Sequence, residues 1–198
     1  MSEPRVIVCR HGNTFGPGDT VTRVGGRTDL PLVESGRAQA AALAAHFAGT
    51  VFTRTYTSDL LRTRETLRAI APDREPTVLP FLREIDYGPD ENRPESEVVA
   101  RVGEAAIAAW DARGALPDGW KLDVEALRRD WAAFMAARAA EGGTHLVMTS
   151  NGVARFVFSA LELPTDGLSI KLRTGAYGAL IYRNGAWAAN EWNVRPNP

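Results

Sequence analysis

The order of predicted strands and helices along the chain indicates an α/β fold, a three-layer sandwich with a mostly parallel central sheet and helices on both faces. Short apolar segments alternate with longer segments of helical pattern through most of the 198 residues, and such alternation is typical of sheets covered by helices. The C-terminal segment differs, because two strand-like runs flank Asn184-Gly185, a dipeptide that favours a type I′ turn. We therefore expect an antiparallel edge strand or a C-terminal hairpin beside the parallel strands.

Apolar runs rich in β-branched residues mark the strands of the predicted sheet. Residues 5–9 form such a run, which is typical of a strand buried on both faces. A stretch rich in Gly, Pro, Asp and Thr follows, and its composition predicts no regular element between residues 12 and 31. The other predicted strands are residues 51–53, 77–79 and 146–149, with residues 176–182 and 186–191 forming the hairpin.

Helices are predicted where apolar residues recur at helical spacing or where capping residues bound an alanine-rich or charged segment. Ser58 is a candidate cap of the second predicted helix, and Pro72 ends that helix. In residues 123–141 the apolar side chains fall on one face, which predicts that this face packs against the core, and Gly142 and Gly143 end the helix. The predicted helices are residues 35–48, 58–71, 95–112, 123–141 and 153–162.

Length and composition predict one domain that spans residues 1–198. The 23 basic and 24 acidic side chains give a formal net charge of −1, and this balance argues against a nucleic-acid partner, since proteins that bind nucleic acid normally carry a basic face. The single cysteine, Cys9, excludes an intramolecular disulfide framework. Residues 89–122 mix Pro, Gly and Trp with charged residues, and this segment is a candidate cap or insertion over the site.

Nothing in the pattern of apolar residues suggests a membrane partner. The first residues lack the basic and apolar regions of a secretory signal. No apolar stretch approaches the ~20 residues that a membrane-spanning helix needs. We therefore expect a cytoplasmic protein, and the sequence leaves its oligomeric state open.

Polar side chains follow each of the predicted parallel strands. Arg10 and His11 come directly after the first strand, and Arg62 lies near the start of the helix after the second. Glu84 follows the third strand, and Asn151 follows the fourth. Because the carboxyl ends of parallel strands meet at one edge of a sheet, we expect these five side chains to lie close together.

This set of side chains suits phosphoryl transfer through a covalent histidine. A neutral imidazole nitrogen can attack phosphorus, and guanidinium groups can hold the phosphoryl oxygens. A nearby carboxyl can protonate the departing alcohol, although Asp86, Asp90 and Glu91 lie close to Glu84 and leave the identity of that acid open. No metal ion or other cofactor is required, because the arginines supply the positive charge.

Four ordered segments of the chain resemble the histidine phosphatase superfamily, which includes phosphoglycerate mutases and acid phosphatases. Residues 10–14 read Arg-His-Gly-Asn-Thr, like the signature of that family. Residues 26–32, 58–62 and 82–88 resemble three further segments of the family and occur in the same order. The resemblance extends over roughly residues 5–160, and it implies an α/β fold with a mostly parallel sheet.

The resemblance also implies a role for each of the five side chains. His11 would be the nucleophile that accepts the phosphoryl group, Arg10 and Arg62 would bind that group, and Glu84 would be the proton donor. Asn151 stands where the family has a second histidine followed by glycine. An amide donates a hydrogen bond without positive charge, so the replacement costs on the order of 1 kcal/mol at this contact, or about tenfold in rate.

The sequence therefore predicts metal-independent hydrolysis of a small phosphomonoester through a phosphohistidine on His11. Asn13 and Arg27 are candidate substrate-binding residues, although a solvated loop position is at least as consistent with Arg27. One alternative is a phosphomutase, against which stand the short chain and the lack of an obvious additional cationic clamp. Another is a non-catalytic protein that binds a phosphate ligand, for which Asn151 is the main argument.

Overall fold

The computed structural model describes residues 3–197, and its strands form one six-stranded sheet. The strands are β1 (Arg5–Arg10), β2 (Arg54–Thr57), β3 (Thr77–Val78), β4 (Thr144–Thr149), β5 (Tyr177–Arg183) and β6 (Ala186–Val194). Their order across the sheet is β3-β2-β4-β1-β5-β6. The first four strands pair in parallel, whereas β5 is antiparallel to β1 and β6 is antiparallel to β5. This topology confirms the predicted fold class and the C-terminal hairpin.

Helices cover both faces of the sheet, and alternate residues of β1 show this directly. Val6 and Val8 belong to one buried cluster, whereas Ile7 and Cys9 belong to a second cluster on the opposite face. The helices are α1 (Glu34–His46), α2 (Leu61–Ile70), α3 (Glu95–Val102), α4 (Glu104–Arg113), α5 (Val124–Glu141), α6 (Asn151–Ala154) and α7 (Phe156–Ala160).

Two observed elements differ from those that the sequence predicted, one in its position and one in its continuity. The strand predicted at residues 51–53 is observed as Arg54–Thr57, and Val51 is 79% exposed. The segment 95–112 is divided into α3 and α4 at Gly103, whose φ of +85° takes the backbone out of the helical region.

Helix boundaries also differ near two candidate site residues. Helix α2 begins at Leu61, and Ser58 does not cap a backbone N–H of the helix: its Oγ accepts a hydrogen bond from the Leu60 N–H and contacts the Thr63 hydroxyl at 2.8 Å. The helix predicted from residue 153 begins at Asn151 and is divided at Arg155. Within residues 3–197, no helix combines the length and the apolar character needed to cross a membrane.

Candidate active site

A cavity of about 580 Å³ opens at the edge of the sheet where β1 and β4 end. Its lining includes Arg10, His11, Glu84 and Asn151. Arg62 lies beside it and donates a hydrogen bond to His11. The five side chains predicted to meet at the ends of the parallel strands therefore do come together. The strand-end geometry supports the expectation that these residues form one site.

The imidazole of His11 is held in one orientation and one tautomer. Its Nδ1 lies 2.8 Å from the carbonyl oxygen of Gly12, and since a carbonyl only accepts, Nδ1 carries the proton. Its Nε2 accepts a hydrogen bond from Arg62 Nε at 3.2 Å and therefore carries the lone pair. Burial, together with the positive charges of Arg62 and Arg10, lowers the pKa of His11 well below its usual range. The ring is thus neutral at ordinary pH.

The loop that carries His11 packs so closely on α1 that it requires glycine. A Cβ on Gly12 would lie 2.3 Å from the carbonyl oxygen of Gly36, and a Cβ on Gly36 would lie 2.1 Å from that of Asn13. The N–H of Gly12 donates to Thr66 Oγ1 at 3.1 Å, which ties the loop to α2 as well. The glycine of the Arg-His-Gly segment is therefore required by the close packing of the loop after β1 against α1 and α2.

Two arginines flank the histidine, and of these Arg62 is buried and Arg10 is partly buried. Arg62, on α2, is fully buried, and its Nη1 and Nη2 donate to the carbonyl oxygens of Thr28 and Gly25 at 2.8 and 3.2 Å. Arg10 Nη1 donates to the Leu172 carbonyl at 2.8 Å, and its buried Nε has no partner among the described residues. Burial lowers the pKa of both groups, but guanidinium groups remain protonated in proteins. They supply fixed positive charge and donors beside His11.

The carboxyl of Glu84 is positioned by two backbone N–H groups. Its Oε1 accepts from Ile85 at 3.0 Å and its Oε2 accepts from Gly152 at 3.1 Å. The side chain is 8% exposed and lines the cavity. These contacts hold a carboxyl at the mouth of the histidine site.

The three neighbouring carboxyls that the sequence left as alternatives to Glu84 are engaged elsewhere. Their partners are Arg27 and Lys121 for Asp86, Arg101 and Trp120 for Asp90, and backbone N–H groups of residues 25, 27 and 87 for Glu91. Of these four carboxyls, Glu84 is the one that lines the cavity. The geometry therefore favours Glu84 as the acid.

Asn151, the first residue of α6, presents its amide nitrogen to the cavity. Its Oδ1 accepts a hydrogen bond from the backbone N–H of Leu172 at 2.8 Å, and this contact fixes which end of the amide is the oxygen. Its Nδ2 has no acceptor in the part of the chain that the structure describes. The amide is therefore a free donor at the same cavity as His11.

The structure treats the two candidate substrate-binding residues differently. Asn13 lines the cavity, but its Nδ2 donates to Ser35 Oγ at 3.2 Å and its Oδ1 accepts from the Thr174 hydroxyl. Its amide is thus already engaged by the protein. Arg27 lies outside the cavity lining, where its exposed guanidinium donates to Asp86 Oδ1 at 2.9 Å. It occupies the solvated loop position that the sequence kept as an alternative.

Four charged residues of the cavity were not anticipated from the sequence. Arg23 and Lys171 add positive charge to its lining, and Glu95 and Asp111 bring residues of the 89–122 segment to it. Each cation forms an ion pair with one of these carboxylates, Arg23 with Glu95 and Lys171 with Asp111. No local sequence pattern distinguishes these four residues from the charged residues elsewhere in the chain.

Comparison with known proteins shows the family of this chain. The sequence model of the histidine phosphatase superfamily (branch 1) matches residues 6–195 of the chain. The chain belongs to the histidine phosphatase superfamily. Members of this superfamily are phosphatases or mutases, so a phosphoryl-transfer enzyme is the coarse functional class.

Individual relatives match this member of the superfamily over most of its length. The probable phosphoglycerate mutase GpmB of Photorhabdus laumondii is 29% identical over 197 residues, covering 96% of this chain and 90% of that protein. A putative alpha-ribazole-5′-P phosphatase from Escherichia coli superposes with a TM-score of 0.74 at 22% identity, covering 100% of this chain and 99% of that one. A mycobacterial glucosyl-3-phosphoglycerate phosphatase gives a TM-score of 0.78 at 22% identity, covering 96% and 99% of the two chains. These two structural similarities show that the chains share a fold.

Proposed function

We propose that this protein hydrolyses a small phosphomonoester through a phosphohistidine on His11, with no metal ion taking part. The observation that supports the proposal most strongly is the orientation of the His11 ring. Its Nδ1–H is held by the Gly12 carbonyl at 2.8 Å, which leaves the lone pair on Nε2. A neutral imidazole with its lone pair at a cationic cavity is suited to attack phosphorus.

Three donors around His11 would hold the phosphoryl group during the transfer. Arg10 would bind its oxygens with charged N–H groups, and Asn151 Nδ2 would donate one neutral hydrogen bond. The Nε–H of Arg62, which donates to His11 Nε2 in the free protein, would turn to a phosphoryl oxygen and so release the lone pair for attack. Donors fixed in advance stabilise the charge that develops on the equatorial oxygens. We assign Asn151 to the place where the family resemblance puts a second histidine, so this contact lacks the charge that an imidazolium would supply.

The reaction would proceed in two steps. First, His11 Nε2 forms a bond to phosphorus, the bond from phosphorus to the ester oxygen breaks, and protonated Glu84 gives its proton to the departing alkoxide. Second, the Glu84 carboxylate takes a proton from water, the water oxygen attacks phosphorus, and the bond from phosphorus to Nε2 breaks. The products are an alcohol and inorganic phosphate, and both His11 and Glu84 return to their starting states.

A phosphomutase is the second candidate, favoured by the relative named as a probable phosphoglycerate mutase. A mutase would return the phosphoryl group from His11 to an alcohol oxygen of bound substrate instead of to water. The two reactions share the first step and differ in the acceptor. Phosphorus NMR of the products separates them, because hydrolysis gives inorganic phosphate whereas mutase action gives an isomeric phosphomonoester.

The direct test measures hydrolysis of p-nitrophenyl phosphate by the wild-type protein, by His11→Ala and by the matched control His46→Ala. His46 contacts the hydroxyl of Tyr177 and lies outside the cavity. We expect His11→Ala to lose turnover, His46→Ala and a chelating agent to leave it nearly unchanged, and rapid alkaline quenching to yield acid-labile phosphate on His11. Undiminished turnover in His11→Ala would overturn the mechanism, and phosphate binding without turnover in the wild type would favour a non-catalytic phosphate-binding protein.

A further inference from the structure

Arg23 is a preorganised cation on the wall of the cavity, apart from the arginines that flank His11. Its guanidinium lies over the rings of Tyr87 and Trp120, at 5.4 and 5.1 Å from their centroids. The side chain is 15% exposed, and its Nε is buried without a partner within residues 3–197. Stacking on two aromatic rings fixes the plane of the guanidinium fork, which reduces the entropy lost when it binds an anion.

The anion now bound to Arg23 is the carboxylate of Glu95. Glu95 is the first residue of α3, its side chain is 44% exposed, and it lines the same cavity as Arg23. Arg23 is largely buried, but solvent reaches the Glu95 side of this ion pair, and solvent screening weakens such pairs. The carboxylate of Glu95 can therefore be displaced by a competing carboxylate at little cost, while Arg23 stays in place.

Arg23 is close enough to the phosphoryl site to contact the other end of a small substrate. It precedes Gly25 by two residues, and the Gly25 carbonyl accepts a hydrogen bond from Arg62 Nη2 at 3.2 Å. Two residues of chain span at most ~7 Å. Arg23 and His11 also line one cavity, so a ligand that fills this cavity can contact both side chains.

We propose that Arg23 selects phosphomonoesters whose leaving group carries a carboxylate, and that Glu95 occupies Arg23 until that carboxylate displaces it. This inference rests on the proposed function in so far as the ligand is a phosphomonoester. In the free protein Arg23 Nη2 already donates one hydrogen bond to a carboxylate oxygen, that of Glu95. A guanidinium can bind a carboxylate through two parallel hydrogen bonds, so a substrate carboxylate in the right position can form one more than Glu95 does. Arg23 is thus a specificity-determining residue, and Glu95 lowers the affinity for substrate by competition.

The second ion pair of the cavity is less suited to this role. The side chains of Lys171 and Asp111 are 47% and 33% exposed, and the lysine has no aromatic ring described beside it. An ammonium on a flexible stem lacks the planar fork that favours a carboxylate. Lys171 therefore carries less discrimination than Arg23.

A matched pair of substrates isolates the carboxylate. Glycerol 3-phosphate differs from 3-phosphoglycerate in having a hydroxymethyl group where the latter has the carboxylate. We expect the wild type to favour 3-phosphoglycerate in kcat/KM. Arg23→Gln should lower kcat/KM for 3-phosphoglycerate by about tenfold or more, and change that for glycerol 3-phosphate by less than about twofold.

Glu95→Gln provides the opposite test, because it leaves Arg23 intact and removes only its competitor. It should raise kcat/KM for 3-phosphoglycerate by about two- to fivefold and leave glycerol 3-phosphate nearly unchanged. Glu97→Gln is the matched control, since Glu97 lies in the same helical turn and pairs with Arg93 at 3.8 Å outside the cavity. Equal changes for both substrates in Arg23→Gln and Glu95→Gln, or no wild-type preference for the carboxylate, would overturn the proposal.

Binding measurements separate this proposal from the proposed hydrolysis. Isothermal titration calorimetry of His11→Ala with the same two compounds reports affinity without turnover. If the wild type hydrolyses neither these compounds nor p-nitrophenyl phosphate, the proposed function fails, yet tighter binding of 3-phosphoglycerate that Arg23→Gln abolishes would still support the role of Arg23. Equal binding of the two compounds would refute that role whether or not the protein is a phosphatase.

Discussion

Gly152 donates its backbone N–H to Glu84 Oε2 at 3.1 Å, and a Cβ built on Gly152 would lie 2.1 Å from Glu84 Oε1. The carboxyl therefore rests directly on the backbone of α6, in a space that admits no side chain. The glycine after Asn151 positions Glu84, which comes from a segment 68 residues away in the chain. Through this contact the loop after β3 and the helix after β4 form one wall of the cavity.

Gly152→Ala should displace the Glu84 carboxyl without removing it. We expect kcat for p-nitrophenyl phosphate to fall by about tenfold to a hundredfold, as a misplaced general acid would cause, while phosphate binding changes little. Gly16→Ala is the matched control, because its added Cβ would meet nothing closer than Asp19 Oδ2 at 3.5 Å. Steady-state kinetics with phosphate inhibition measure both effects, and an unchanged kcat in Gly152→Ala would contradict the role given to this contact.

The pH dependence of the first step should reflect the buried state of His11. Burial and the charges of Arg62 and Arg10 lower its pKa well below the usual value of about 6.5. The reactive neutral ring then persists as pH falls, so we expect no acidic limb in kcat/KM near pH 6.5. Arg62→Gln removes one cause of the shift and should raise the pKa of His11. As pH is lowered, any residual activity of this variant should therefore begin to fall at a higher pH than that of the wild type. Profiles of kcat/KM against pH measure this, and an acidic limb near 6.5 in the wild type would argue against it.

Most of the site residues could be predicted because they follow the ends of predicted parallel strands. The residues after β1 and β4 could be assigned to one edge because parallel strands end there together, and the Arg-His-Gly segment pointed to the nucleophile. The position of β2 was wrong, because Arg54–Thr57 contains Thr and Tyr rather than aliphatic residues. The strand pairs with β4, whose residues lie 91 positions further along the chain, and no local sequence pattern indicates this partner.

Arg23 and Arg27 show why the outer cavity could not be predicted. The two arginines lie four residues apart in the same loop, and nothing local distinguishes them. Their surroundings depend on distant residues, since Arg23 lies over Tyr87 and Trp120 whereas Arg27 pairs with Asp86. The sequence named Arg27 as a candidate, but Arg23 is the one that lines the cavity.

The Nδ2 group of Asn151 should contribute to phosphate binding as a hydrogen-bond donor. Asn151→Asp keeps an oxygen for the Leu172 N–H, which the wild type engages at 2.8 Å, but it replaces the Nδ2 donor with negative charge. We expect the affinity for inorganic phosphate to fall by well over tenfold in Asn151→Asp and by about two- to tenfold in Asn151→Ala. Isothermal titration calorimetry measures both affinities. If the two variants bound phosphate equally well, the amide nitrogen would not face the phosphate.

Asp90 should stabilise the 89–122 segment through its buried carboxylate, which accepts from Arg101 Nε and from Trp120 Nε1, each at 2.6 Å. Burial acts to raise the pKa of Asp90, but the hydrogen bonds from Arg101 and Trp120 lower it overall. The stabilisation is therefore complete above the unfolded pKa of about 3.9 and is lost as pH falls through the lower folded value. Asp90→Asn should reduce the free energy of unfolding at pH 7 by about 2 kcal/mol, whereas exposed Asp73→Asn should change it little. Urea unfolding at pH 7 and pH 3 measures this, and the difference between wild type and Asp90→Asn should shrink at the lower pH.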